Sequence, residues 1–357
     1  MADLAPDDDY DALEDIPSPR HTMALKGHEA SEKIFLDAVQ SGKLHHAWLL
    51  TGPKGIGKAT FAYRVARFLL SGGEAEQGMF DDLSLDVDQD HPSVHKISAG
   101  AHPNILKLSR RYDPERKRFT TTIPVDDVRK TVGFFGSTAG EAGWRICLVD
   151  AADDMNAAAA NALLKILEEP PKQSIFLITS HAPGRLLPTI RSRCRRLPFS
   201  SLDDDTLKSI LADLGALDGE DDDHIAEAIA AADGSVRKAI LFLKNNGPAL
   251  AQSLSVIMRA LPNPPIDAVH RLGDLVSARG AEESYAILID LILHRLSHMV
   301  HAGSSDQPVS ALASWAGVWE KTTRSVAQAE ALNLDKKAVI LGIIRDFQDA
   351  SRSLSSA

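Results

Sequence analysis

Gly52-Pro53-Lys54-Gly55-Ile56-Gly57-Lys58-Ala59-Thr60 follows the apolar run Ala47-Trp48-Leu49-Leu50. The stretch matches the phosphate-binding pattern G-x-x-x-x-G-K-[ST] at Gly52, Gly57 and Lys58. It departs from the pattern at the last position, where Ala59 stands in place of a hydroxyl residue. A methyl group cannot ligate Mg²⁺, and Thr60 comes one residue late for that task, although it can still bond another phosphate. Beyond the loop, Phe61, Val65 and Leu69 recur every four residues, so a helix is expected from about Lys58 to just before Ser71-Gly72-Gly73. Strand, glycine loop and helix together place backbone amides and a helix N-terminus where phosphate oxygens bind. The candidate nucleotide-binding residues here are Gly52, Pro53, Gly55, Ile56, Gly57, Lys58, Ala59 and Thr60.

Three further apolar segments read as strands: Arg145 to Asp150, Ser174 to Thr179, and Arg195 to Phe199. Between the first two, Ala160, Leu163, Leu164 and Leu167 share one helical face, and Pro170-Pro171 stops that helix. Asp126 or Asp127 is expected to cap another helix through Val128, Val132 and Phe135. Residues 73–101 show no clear period and read as an inserted loop. Lys107 to Thr122 is basic and suits a hairpin. Strands alternating with helices indicate an α/β fold with a parallel sheet covered on both sides.

After Ser200 the pattern turns helical. Asp203-Asp204-Asp205 opens a helical region that reaches Phe242, and Gly247-Pro248 and Pro262-Asn263-Pro264-Pro265 punctuate the chain. Ile287, Leu288, Leu291 and Ile292, then Val339, Ile340, Ile343 and Ile344, mark apolar helix faces of a bundle. The expected division is an acidic disordered tail over 1–22, an α/β domain over 23–200, a small helical domain over 201–247 and a helical bundle over 248–357.

The 357 residues are 44% hydrophobic and 25% charged, with a formal charge of −10, an ordinary soluble composition that argues against a chain coated in nucleic acid. No apolar run reaches the length of a bilayer span. The acidic N-terminus is unlike a secretion signal. With only Cys147 and Cys194, neither a disulfide framework nor four-thiolate zinc is expected, and a cytoplasmic setting fits.

Nucleotide hydrolysis in such a fold needs a phosphate cradle, a hydroxyl and an acid for Mg²⁺, a group that activates water, and a positive charge on the transferring phosphoryl group. Asp150, at the end of its strand, is the acid, although a helix cap is the other reading of that residue. The next position, where such enzymes usually carry Glu, is Ala151. Loss of a general base alone typically costs about 10²–10⁴ in rate. Asp153 and Asp154 follow on the next turn. By charge alone, Arg191, Arg193, Arg195 and Arg196 read as a solvated basic face. The run Arg110, Arg111, Arg116, Lys117, Arg118 reads as a solvated hairpin or a DNA contact. The spacing of His91, His95 and His102 fits no zinc pattern, so no metal site is expected.

Asn161-Ala162-Leu163-Leu164-Lys165-Ile166-Leu167-Glu168-Glu169-Pro170-Pro171, with Ser192-Arg193-Cys194, resembles the clamp-loader branch of the AAA+ ATPases that serve bacterial DNA polymerase III. The similarity is clear over about residues 25–245. It implies an AAA+ P-loop sheet domain, a small helical lid and a C-terminal collar bundle. Two features separate the chain from that branch's gamma or tau motor subunits. The motors' D-E-x-H acid motif reads Asp150-Ala151-Ala152-Asp153, and no cysteine lies between residues 60 and 146 to build the motors' zinc module.

The resemblance also implies roles. Arg193 becomes an arginine finger acting in trans on a neighbouring motor subunit. Thr179, with Ser180 as the alternative, becomes the polar sensor at the third strand's end. In Gly234-Ser235-Val236-Arg237, Arg237 becomes a second sensor near the γ-phosphate. The implied partners are the other subunits of a hetero-oligomeric clamp loader and, through the complex, the sliding clamp and primer-template DNA. Three functions stay open on sequence: a non-hydrolysing stator that holds ATP at most without Mg²⁺, an autonomous motor-like ATPase using Thr60 and Asp153, and a scaffold with an empty site.

Overall fold

The computed structural model describes residues 10–73, 84–115, 118–136, 143–302 and 309–355. Contacts divide the chain into two compact units, residues 1–216 and 217–357.

The first unit is built on a five-stranded parallel sheet of order β2-β5-β6-β1-β7. Its strands are β1 (Ala47–Thr51), β2 (Ile105–Leu108), β5 (Arg145–Val149), β6 (Ser174–Ser180) and β7 (Arg195–Pro198). Every residue of β1 and β6 is buried, as strands covered on both faces must be. Around the sheet lie α1 (Glu29–Gln40), α2 (Lys58–Leu70), α3 (Pro92–Ser98), α4 (Val125–Gly136), α5 (Ala157–Glu168), α6 (Pro188–Arg193) and α7 (Asp204–Asp213). One side of the core gathers Phe35, Trp48, Leu50, Phe61, Phe68 and Leu177. The other gathers Leu49, Val128, Phe135, Leu163, Phe176 and Ile190. At the strands' C-terminal ends, β1 runs into the phosphate loop, β5 into Asp150 and β6 into His181, so the parallel register sets the candidate site residues side by side.

Five expectations need correction. Residues 10–22 are not a free tail, because buried Arg67 of α2 donates to the carbonyls of Arg20 (2.9 Å) and Pro19 (3.4 Å), and Arg64 donates to that of Met23. The remainder of that tail, residues 1–9, lies outside the described residues. Of the stretch 73–101 expected as an inserted loop, residues 74–83 lie outside the described residues, and the described part carries α3, capped by His91, whose Nδ1 accepts from the Ser93 amide at 3.1 Å. Lys107 belongs to β2 rather than to a hairpin; the hairpin is the short pair β3 (Tyr112–Asp113) and β4 (Arg118–Phe119). Asp126 and Asp127 sit inside the first turn of α4, where Pro124 already supplies the opening carbonyl, and they pair with Arg129 and Lys130 instead of capping. Val132, expected on the apolar face of that helix, is 59% exposed, while Thr131 beside it is buried.

Every secondary-structure element among the described residues of the second unit is a helix: α8 (Asp222–Ala232), α9 (Val236–Lys244), α10 (Gly247–Arg259), α11 (Ile266–Ser277), α12 (Glu282–Ala302), α13 (Val309–Leu332) and α14 (Lys336–Ser355). Asp233 and Gly234 both take left-handed backbone conformations, which ends α8, and Ser235 restarts the chain by accepting from the Lys238 amide at 3.3 Å. The core includes Phe242, Leu272, Leu288, Ile292, Ile340 and Phe347. No helix among the described residues is long and apolar enough to cross a membrane.

Candidate functional site

The phosphate loop turns on two glycines. Gly52 has φ 150°, and a Cβ there would lie 2.3 Å from the Phe199 carbonyl oxygen. Gly57 caps α2 at φ 107°, and a Cβ there would lie 2.8 Å from Leu25. Because Gly57 has no side chain to cap the helix, the first amides of α2 are of the kind that a phosphate satisfies. The buried His28 ring braces the loop from below, 2.5 Å from the Ile56 carbonyl oxygen. Burial, the largest influence on this ring, lowers its pKa, so it stays neutral.

Lys58 is only 3% exposed. Its ammonium donates to the Gly52 carbonyl at 2.7 Å and to that of Pro53. Burial pushes its pKa down to about 8, against the opposing pull of Asp153 and Asp150. A charge held this way, beside two carboxylates and facing backbone carbonyls, is poised to exchange those carbonyls for an anion. Ala59 and Thr60 follow Lys58 in the first turn of α2, and Ala59 shares a small cavity with Tyr63, Leu148, Asp150 and Thr179. The residues therefore suit a nucleotide's phosphates. They do not offer the hydroxyl that a metal beside those phosphates takes from this loop.

Across from the loop, Thr179 ties the ends of β5 and β6 together. Its hydroxyl accepts from the Ala151 amide at 2.8 Å and lies 3.3 Å from an Asp150 carboxylate oxygen. Asp150 is not a helix cap. Its amide continues the β2 ladder to the Leu108 carbonyl, and Ala151, at φ 61°, occupies the cap position of the turn that follows. Sequence reasoning missed the role of Asp153. Its carboxylate accepts from the Ser180 hydroxyl (2.9 Å), the His181 amide (2.6 Å) and the Ala182 amide (3.1 Å), and so holds the loop after β6. His181, also missed, is driven down to about 4 by burial and by Lys58. Its local signal was only a polar residue one step beyond the third strand.

Arg110 grips Asp154 with two hydrogen bonds, 2.7 and 2.5 Å. Arg111 pairs with Asp127 at 3.6 Å. The basic run is thus partly spent on internal pairing; Arg116 and Lys117 lie outside the described residues. His102 accepts from the Asn104 amide at 3.2 Å, a loop bond within its own turn.

Arg193 is the last residue of α6, a helix started by Pro188. It is partly exposed, donates to the Thr189 carbonyl (3.1 Å) and pairs with Glu168 at 2.7 Å. Arg195 lies over the Trp48 ring, 4.8 Å from its centroid, and Arg196 donates to the Thr51 hydroxyl at 3.1 Å. These arginines are therefore more than a solvated face. Arg237 lies in the first turn of α9 in the second unit.

A family model described as DNA polymerase III, delta subunit, matches residues 27–203. That segment of the chain is similar to the family. A DNA polymerase III subunit delta' of Pseudomonas aeruginosa is 42% identical over 42% of this chain and 41% of its own length. The subunit delta' of Bacillus subtilis is 27% identical over 63% of both chains. A DNA polymerase III subunit gamma/tau of Mycobacterium bovis is 29% identical over 75% of this chain and 44% of its own. The chain thus spans between about two fifths and two thirds of the length of these relatives. The family match covers the phosphate loop, Asp150, Thr179 and Arg193 and ends before α7.

Proposed function

We propose that the chain is a delta'-type stator of a DNA polymerase III clamp loader, one that holds a nucleotide at most and does not hydrolyse it. The observation that carries this reading is the state of the hydrolytic positions. Ala59 offers a methyl where the metal ligand belongs, Ala151 offers no carboxylate, and Asp153 is fully engaged by Ser180, His181 and Ala182. The phosphate cradle itself is intact. Holding phosphates and splitting them separate here, because hydrolysis needs contacts made only in the transition state.

In this reading the residues of the first unit that touch nucleotide are Gly52, Pro53, Gly55, Ile56, Gly57, Lys58, Ala59 and Thr60, with Asp150 as the acid and Thr179 as the polar sensor; a second-sensor role for Arg237 is what the family resemblance alone implies. Arg193 is offered in trans to a gamma/tau motor subunit, where an arginine of this kind raises phosphoryl-transfer rates by roughly 10³–10⁵. The remaining partners are the delta subunit and, through the complex, the sliding clamp and primer-template DNA, all in the cytoplasm. The division of labour is an AAA+ domain over 23–200, a lid over 201–247 and a collar over 248–357.

A motor-like ATPase is the competing reading, favoured by the gamma/tau relative. It requires Asp153 to give up three hydrogen bonds in order to position water. Steady-state phosphate release by the purified chain tests the proposal. Release indistinguishable from that of Lys58→Ala supports it. Turnover on the order of 1 s⁻¹ that Lys58→Ala abolishes contradicts it.

A further inference from the structure

The segment that precedes α1 ends up beside the phosphate loop. Its C-terminal part is fastened to α2, the helix the loop opens, through Arg64 and Arg67. The Ser98 hydroxyl of α3's last turn adds a bond to the Arg20 carbonyl at 3.4 Å. From that anchor the segment reaches back to Tyr10. The Tyr10 ring lies 5.4 Å from the Lys54 ammonium, in the middle of the phosphate loop. It lies 4.9 Å from the Arg110 guanidinium, which itself grips Asp154 in the turn after Asp150. The Phe119 ring meets it edge-on at 6.4 Å. One aromatic side chain thus bridges the loop that would hold phosphates and the strand end that carries the acid. Burial, then the charges of Asp11, Asp150 and Asp154, raise the pKa of its hydroxyl, so it remains a neutral phenol.

We propose that Tyr10–Asp15 is a strap across the phosphate loop, anchored by the Tyr10 ring, which a nucleoside triphosphate must displace in order to bind. The inference rests on the reading that the loop accepts nucleotide. The chemistry is a competition of like for like. The strap brings a π-face, and at Asp11 a carboxylate whose charge acts on Arg110, to the part of the surface where polyphosphate would lie. Lys54 and Arg110 attract both. In the strapped state Lys58 is folded onto the Gly52 and Pro53 carbonyls, which it would have to leave for a phosphate. A segment closed nine-tenths of the time weakens apparent affinity about tenfold, since only the open fraction is competent. Two cation–π contacts and a ring packed on Phe119 are enough to produce a bias of that size.

The test is titration of the full chain with a fluorescent ATP analogue, comparing wild type, Tyr10→Ala and Tyr10→Phe. Tyr10→Ala should bind about tenfold more tightly, and Tyr10→Phe, which keeps the ring, should stay within about twofold of wild type. Equal or weaker binding by Tyr10→Ala overturns the strap while leaving the nucleotide site standing. If neither wild type nor Tyr10→Ala binds the analogue, the strap and the nucleotide reading of the loop fall together. Hydrogen exchange supplies a second readout on the unmutated chain. Saturating ATP should speed exchange of the amides of residues 11–16, and slower exchange would make the segment part of the bound site and end the proposal.

Discussion

Arg193 and Glu168 meet at 2.7 Å, joining the end of α6 to the end of α5. In the isolated chain the proposed finger is therefore held by a carboxylate of its own subunit. The pair is half exposed on the Glu168 side, and exposed ion pairs contribute little, about 0–1 kcal/mol. The guanidinium can leave Glu168 for a partner's phosphate at small cost. A double-mutant cycle on Arg193→Ala and Glu168→Ala, read by urea denaturation, should give a coupling below about 1 kcal/mol. A coupling of several kcal/mol would mean that Arg193 is a structural lock.

Asp153 carries the opposite expectation. Its three donors lie in one stretch, Ser180 to Ala182, and removing the carboxylate strands two backbone amides. Asp153→Ala should cost about 2–4 kcal/mol of unfolding free energy. The measurement is chemical denaturation, and a loss under about 0.5 kcal/mol, within the usual range for a surface substitution, would contradict the role.

His181 should shape the acid limb of stability. The folded chain keeps its ring neutral down to about 4, against an ordinary value of 6.5. Between those two values the unfolded chain takes up a proton that the folded chain refuses. The contribution is therefore fully present above pH 6.5 and is lost as pH falls toward 4. His181→Gln should flatten the fall of unfolding free energy with pH in that window, measured by denaturant midpoints at pH 7, 6 and 5. An unchanged slope would contradict the assignment.

Lys58 predicts the pH dependence of nucleotide binding. Its ammonium loses its proton near pH 8 in the free protein, so above that value a phosphate must bring the proton back. Affinity for an ATP analogue should fall by up to about tenfold per pH unit above 8 and level off below it. Titrations at pH 7, 8 and 9 check this, and constant affinity across the three would show that the lysine charge does not meet the ligand.

The parts of this molecule legible in the sequence are those whose signal is local. Glycine spacing at Gly52 and Gly57 announced the loop, and the continuous apolar runs of β1, β5 and β6 announced a sheet buried on both faces. What stayed hidden depends on contacts between distant residues. Asp153 finds Ser180 27 positions away, and Arg64 finds Met23 41 positions away. Neither partner is marked by any pattern in its own neighbourhood. α3, at seven residues, is too short for a helical period to declare itself. Asp126 and Asp127 were misplaced because a capping acid and a first-turn acid look alike in sequence; only the Pro124 carbonyl bonds distinguish them.

The central claim is that this chain contributes a positive charge to a neighbour's ATP and splits none itself. The most direct measurement is ATP turnover by a clamp loader reconstituted from gamma/tau, delta and this chain, with Arg193 intact or changed to Ala. The account predicts a clear fall in the complex's turnover and in clamp loading with Arg193→Ala, while assembly and the stability of the isolated chain are kept. Turnover and loading at the wild-type level with Arg193→Ala would contradict it.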